Sequence, residues 1–132
     1  MHYTLLDQKS LITAMKVCVE RGIKIVLGAP FASGILTNPN NLQVGYNYCP
    51  VPKKVRSRAL ELPRCCKYFN VPLMAAALQF PLFHPAICSI LQGSRTAWQV
   101  EENVKNFNFA IPKELWVEMK RRYLILQDAP VE

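Results

Sequence analysis

The chain has 132 residues, of which 51% are apolar and 19% charged, with a formal net charge of +7. That suffices for one domain with its own core and argues against disorder. No stretch approaches the ~20 apolar residues of a membrane span, and "MHYTLLDQKS" carries neither region of a signal peptide, so a cytoplasmic protein with no membrane contact is expected.

Residues 3–6, "YTLL", read as a short strand, and Asp7 is placed to cap a helix after it. Leu11, Ala14, Met15, Cys18 and Val19 follow at i, i+3, i+4, i+7 and i+8, one apolar helix stripe that Gly22 should end. "IKIVLG" (23–28) is β-branched and apolar on nearly every side, as in a parallel strand buried on both faces. A long loop rich in Pro, Gly and Asn follows it.

Residues 53–69 predict a helix bent or interrupted at Pro63, and 72–83 a second helical stretch with Pro81 in its last turn. Another buried strand is expected near 86–92. Thr96-x-x-Gln99 then opens a helix with a capping box, its inner stripe formed by Ala97, Val100, Val104 and Phe107. A final helix starts at Pro112 and buries Leu115 and Met119.

This order is a parallel α/β pattern. Three short strands would leave two open edges, yet all three read as interior. A complete eight-stranded α/β barrel needs roughly 250 residues. The expected fold class is therefore α/β, a partial (β/α)8 TIM barrel made of the last three strands and their helices, with 1–132 as the carboxyl-terminal part of a barrel domain.

Five cysteines without a C-x-x-C pair read as reduced thiols, with no zinc site. The basic runs "KKVRSR" (53–58) and "KRR" (120–122) lack aromatics at a stacking spacing. They read as solvated helix faces, so no nucleic-acid partner is expected. Trp98 and Trp116 read as packing residues, and His84 in "FHP" as structural.

One junction carries chemistry. Gly93, Ser94 and Arg95 stand where a strand gives way to a helix, and free backbone N–H groups with the positive end of a helix dipole favour an anion there. Arg95 adds a planar fork suited to phosphate. Gln99, Glu102 and Asn103, at i, i+3 and i+4, share one polar face a turn further on.

"YTLLDQ", "IVLGAPFASGIL", "AAALQFPLFHPAICSILQGSR" and "QVEENV", in this order, resemble the aldo-keto reductases, in particular the branch of aldose and L-fucose dehydrogenases (D-threo-aldose 1-dehydrogenases). The resemblance implies that 3–6, 23–28 and 86–92 are the sixth, seventh and eighth barrel strands. It implies an NAD(P)-dependent oxidoreductase that moves hydride between a nicotinamide dinucleotide and a small sugar or carbonyl compound. Gly93, Ser94 and Arg95 would hold the adenosine-side phosphate, and Gln99, Glu102 and Asn103 the adenosine. Pro30, Phe31 and Ser33 would wrap the pyrophosphate and nicotinamide side.

Two departures matter. Many members stack an aromatic residue from the end of the seventh strand on the nicotinamide, where this chain has Gly28. The family's catalytic tyrosine, lysine, aspartate and histidine come from the first half of the barrel. No residue here inherits those roles, and the chain alone is expected to be inactive. An alternative is a non-enzymatic module that complements a separate amino-terminal half-barrel or docks on another partner.

Overall fold

A computed structural model describes residues 2–132. After a 3-10 turn at Lys9–Ile12 come helix α1 (Ala14–Glu20) and strand β1 (Ile25–Gly28). A long loop carries a two-residue hairpin, β2 (Gly45–Tyr46) and β3 (Cys49–Pro50). Helices α2 (Lys53–Tyr68) and α3 (Leu73–Gln79) lead through a 3-10 turn at Phe80–Phe83 to β4 (Ile87–Leu91). Helices α4 (Ala97–Phe107) and α5 (Lys113–Arg121) complete the chain.

β1 and β4 pair in parallel, with Val26 opposite Ser89, Leu27 opposite Ile90 and Gly28 opposite Leu91. A register shift falls between Ile25 and Val26. A helical crossover between parallel neighbours is what the sequence predicts. α4 follows the carboxyl end of β4, also as predicted.

The strands are not buried on both faces. Leu27 and Ile87 are buried, whereas Val26 and Leu91 are 61% and 66% exposed. Along β1 the side chains alternate, Leu27 inward and Val26 outward, whereas Ile87 and Leu91 share one face of β4 that is covered only at its amino end.

Residues 3–6 do not form a strand. Thr4 N–H donates to the Asp7 carbonyl at 2.8 Å, and Asp7 N–H returns to Thr4 at 3.2 Å. Thr4 Oγ1 also accepts from the amides of Leu6 and Asp7. This closed turn uses the groups a strand would offer to β1. Its apolar side chains still enter the core: Tyr3 stacks on Phe80 at 5.2 Å between ring centroids, and Phe80 lies 6.1 Å from Trp116. The Leu126 amide donates to Gln8 Oε1 at 3.1 Å, and Arg58 Nη2 to the Leu124 carbonyl at 2.6 Å, so both ends of the described chain close over α2.

Three helix expectations change. α2 runs unbroken through Pro63, because its buried face of Ala59, Leu62, Cys65 and Cys66 outweighs the roughly 3 kcal/mol cost of an interior proline. Of the predicted α1 stripe only Met15 is buried; Leu11 and Cys18 are half-buried, and Ala14 and Val19 are exposed. The α4 stripe is inverted: Asn103 and Asn106 are buried, while Ala97, Val100, Val104 and Phe107 are exposed. Gln79 explains part of this. Its Nε2 donates to the carbonyls of Asn106 and Phe109, at 3.1 and 2.8 Å, and docks α4 on α3 by its polar side.

Candidate functional site

The start of α4 is built by its cap. Thr96 Oγ1 accepts from Gln99 N–H at 3.2 Å, the predicted half of the capping box. The other half is shifted. Gln99 Oε1 accepts from the Arg95 amide at 2.7 Å, one residue before the cap. That bond fixes the Arg95 backbone and leaves its guanidinium on an exposed loop. The first-turn amides of Ala97 and Trp98 have no acceptor within the helix.

Ser94 is the hub behind this turn. Its Oγ accepts from Gln92 Nε2 at 2.7 Å and from Asn103 Nδ2 at 3.2 Å. Asn103 is 8% exposed, and its Oδ1 is buried without a donor, as is Gln92 Oε1. A buried acceptor left unpaired costs about 1–3 kcal/mol.

A cavity of about 350 Å³ opens beside α4. Phe31, Gly93, Trp98, Gln99, Glu102 and Asn103 face it. Of its eight lining residues, which also include Thr37 and Met74, five were singled out in the sequence for a nucleotide. Ser94 and Arg95 adjoin it through their bonds to Asn103 and Gln99. Pro30 is fully buried at the base of the loop after β1. Ser33 stands apart: its Oγ accepts from Tyr48 N–H at 3.2 Å and anchors the β2–β3 hairpin instead. The same loop holds Ala29, Ala32 and Ser33 at φ of 54°, 49° and 60°, strained values for residues with a Cβ.

Trp98 is a correction. It is no packing residue: its side chain is 67% exposed and walls the cavity, while Trp116 is 3% exposed in the core. Its position in the first turn of a helix whose start the sequence marks as a candidate anion site was the available signal. Gln92 was also missed. A glutamine ending an apolar strand run, directly before Gly93 and Ser94, was its signal.

The groups with displaced pKa values lie elsewhere. Burial pushes the Tyr3 phenol and the Cys65 thiol up, and the Cys66 thiol to about 12. Burial also raises Tyr46, helped by Asp7, whose Oδ2 is 3.5 Å from its hydroxyl. His84 is held below its usual value by burial; its Nδ1 accepts from the Ala86 amide at 3.2 Å, and its ring packs against Tyr3. None of these groups lines the cavity beside α4. The two basic runs are largely engaged. Arg56 donates to the carbonyls of Pro39 and Asn41, and Arg121 and Arg122 both pair with Glu118. Among the described residues no helix is long and apolar enough to cross a membrane.

A parallel pair of strands, a strand-to-helix turn with free first-turn amides and a polar helix face beside an aromatic-walled cavity make up the candidate site of an α/β fold. The chain belongs to the aldo/keto reductase family, whose profile matches residues 1–123. It is 38% identical to the pyridoxal 4-dehydrogenase of Microbacterium luteolum over 93% of its own length and 36% of that protein's. It is 32% identical to a D-threo-aldose 1-dehydrogenase of a Pseudomonas species, over 93% and 38% of the two chains. The L-galactose dehydrogenase of Arabidopsis thaliana is 28% identical, over 78% and 31%. The chain thus spans less than two fifths of the length of these relatives. An aldo-keto reductase from Bacillus halodurans, in its holo form, superposes with a TM-score of 0.70 and 23% identity over 92% of this chain and 40% of that one. The fold is that of part of the aldo-keto reductase barrel.

Proposed function

We propose that this chain forms the nucleotide-holding part of an NAD(P)-dependent oxidoreductase acting on a small aldose or related carbonyl compound. The observation that carries this is the cavity beside α4, where Gly93, Gln99, Glu102 and Asn103 converge and the Asn103 Oδ1 lacks a donor. These residues fit a dinucleotide. Ser94, Arg95 and the first-turn amides suit its adenosine-side phosphate, and Gln99, Glu102 and Asn103 its adenosine. Phe31, on the loop after β1, closes the opposite wall. When bound, the nicotinamide supplies the hydride acceptor or donor. The proton-transfer group is assigned outside this chain. The relatives, dehydrogenases of aldoses and of pyridoxal, support a small polar substrate with an oxidisable carbonyl or anomeric carbon.

A half-built site binds weakly, with a Kd in the millimolar range (about −4 kcal/mol). NMR titration with 5′-AMP is therefore the test. Amides of Ser94, Arg95, Gln99 and Asn103 shift, and Arg95→Ala abolishes the shifts. A folded chain in which they stay still at high ligand overturns the reading.

A second reading has an observation of its own. An apolar groove of about 320 Å³ lies between β4 and α4, lined by Leu78, Leu82, Ile90, Val100, Val104 and Phe107. Beside it β4 has an unpaired edge. This suits a further parallel strand, as a complementary amino-terminal half-barrel would bring. Mixing the chain with the unmatched part of the Microbacterium relative tests it. A 1:1 complex supports the reading, and two species that elute separately overturn it.

A further inference from the structure

The basic charge of the chain is concentrated in two places. Helix α2 carries six lysines and arginines against the single carboxylate of Glu61. Residues 113–122, which contain α5, carry four against Glu114 and Glu118. These two segments hold an excess of seven, the whole of the formal net charge of +7. Everywhere else six cations meet six carboxylates. The two helices are neighbours. Arg58 Nη2 on α2 donates to the Leu124 carbonyl just after α5 at 2.6 Å, and the Cys65 thiol on α2 feels the charges of Arg121, Arg122 and Glu118.

Internal bonds do not discharge this region. Arg56 and Arg58 donate to neutral carbonyls and keep their charge. Glu61 pairs with Arg64, and Glu118 alone serves both Arg121 and Arg122. Lys53, Lys54 and Lys67 are exposed and make no ion pair among the described residues. Lys53 and Lys54 also stand in the first turn of α2, which has no acidic residue and where the helix dipole disfavours a cation. Like charges so placed repel one another, and a bound polyanion relieves that repulsion.

The exposed aromatics decide what kind of polyanion fits. The basic runs lack aromatics of their own, but the fold leaves one in solvent at the end of α2 and one just after α5. Tyr68 is 75% exposed and Tyr123 78%. A phenol ring standing in water beside cations offers a stacking surface to a base, which an acidic protein segment does not have. A duplex keeps its bases stacked on one another, so such rings suit a single strand. Along α2 the cations extend from Lys53 to Lys67, roughly 21 Å of helix, enough to follow several phosphates.

We propose that the α2–α5 surface binds single-stranded nucleic acid, its lysines and arginines following the phosphates and Tyr68 and Tyr123 stacking on bases. Neither helix contributes a residue to the cavity beside α4, so this binding is separate from that of the nucleotide.

Fluorescence anisotropy of a labelled oligothymidylate of about 20 nucleotides tests it. With about five phosphates neutralised, affinity falls about 100-fold between 50 and 200 mM salt. Lys53→Glu, Lys54→Glu and Lys67→Glu together weaken binding at low salt about 10-fold or more and flatten the salt slope, while 5′-AMP still moves the amides of Ser94 and Arg95. Tyr68→Ala and Tyr123→Asn each weaken binding about 5-fold or more and leave the salt slope unchanged. Asparagine suits position 123 because Tyr123 has a φ of 55°. Several results overturn the proposal. One is the absence of binding at low salt, or binding that survives the triple charge reversal. Another is wild-type affinity in both tyrosine variants, or equal affinity for polyglutamate, since the bases then play no part. Displacement of the oligonucleotide by excess 5′-AMP places the strand in the cavity beside α4 instead. Tighter binding to phosphatidylserine vesicles than to the oligonucleotide assigns the surface to a membrane.

Discussion

Asn103 Nδ2 donates to Ser94 Oγ at 3.2 Å, joining the middle of α4 to the loop that leaves β4. Gln92 Nε2 donates to the same oxygen at 2.7 Å. A serine oxygen that accepts twice keeps its own hydrogen for an outside acceptor, and an anion at the helix start is well placed to be that acceptor. Ser94→Ala should weaken 5′-AMP binding about 5–10-fold and cost the fold about 1 kcal/mol. NMR titration and urea denaturation measure the two effects. Unchanged affinity would remove Ser94 from the site.

Asn103 presents the converse case. It loses one good bond if replaced, but its buried Oδ1 is unpaired already. The two terms offset, so Asn103→Leu should leave stability within about 1 kcal/mol of the wild type. Nucleotide affinity should nonetheless fall about 10-fold, because Asn103 lines the cavity and its Nδ2 holds Ser94 Oγ in place. A large loss of stability with unchanged affinity would make Asn103 a structural residue.

The cap of α4 supports both residues. Thr96→Ala removes the bond to Gln99 N–H and should lower the unfolding free energy by about 1 kcal/mol, read as a shifted denaturation midpoint. Because the Gln99 side chain independently holds the Arg95 amide, α4 should still form, and circular dichroism should show no loss of helix.

That cap was legible in the sequence, since it depends on residues three apart. So was the parallel pairing of β1 with β4, written in two apolar β-branched runs separated by a helical crossover. The grouping of Gln99, Glu102 and Asn103 followed from helix periodicity alone. Tertiary context decided the rest. "YTLL" has strand composition, but Thr4 can bond its own neighbours, and nothing local shows that it closes a turn with Asp7. The apolar stripe of Val100, Val104 and Phe107 implied a buried face. Which face of α4 docks was set by Gln79, a residue in a different helix. The serine of "FASG" looked like part of the site, yet its hydroxyl serves a hairpin amide 15 residues away.

His84 gives the fold a pH dependence. Burial lowers its pKa in the folded state, so the unfolded chain binds a proton more readily. Its contribution is fully present above the unfolded value of about 6.5 and declines as pH falls toward the folded value. Stability by urea denaturation should therefore drop between pH 7 and pH 5. His84→Gln, which keeps an acceptor for the Ala86 amide, should flatten that slope. An equal slope in the variant would assign the effect to other groups.

The exposed stripe of α4 separates the stability of this chain from its assembly. Val104 is 57% exposed and Phe107 47%, so neither contributes much to the core as it stands. Val104→Lys should change the unfolding free energy by less than about 0.5 kcal/mol, as for an ordinary surface position. The result differs if a further strand packs under α4. Burying the stripe then adds about 25 cal/mol for each Å² of apolar area removed from water, and a lysine ammonium in that groove opposes docking. The same substitution should abolish the 1:1 complex with the unmatched part of the Microbacterium relative while leaving the 5′-AMP shifts at Ser94 and Arg95 intact. Gel filtration and NMR on one sample measure both. A complex that forms equally well with Val104→Lys would place the docking surface away from the β4–α4 groove. Lost nucleotide shifts in the uncomplexed variant would mean that the stripe supports the cavity from behind, through Asn103, which lines both.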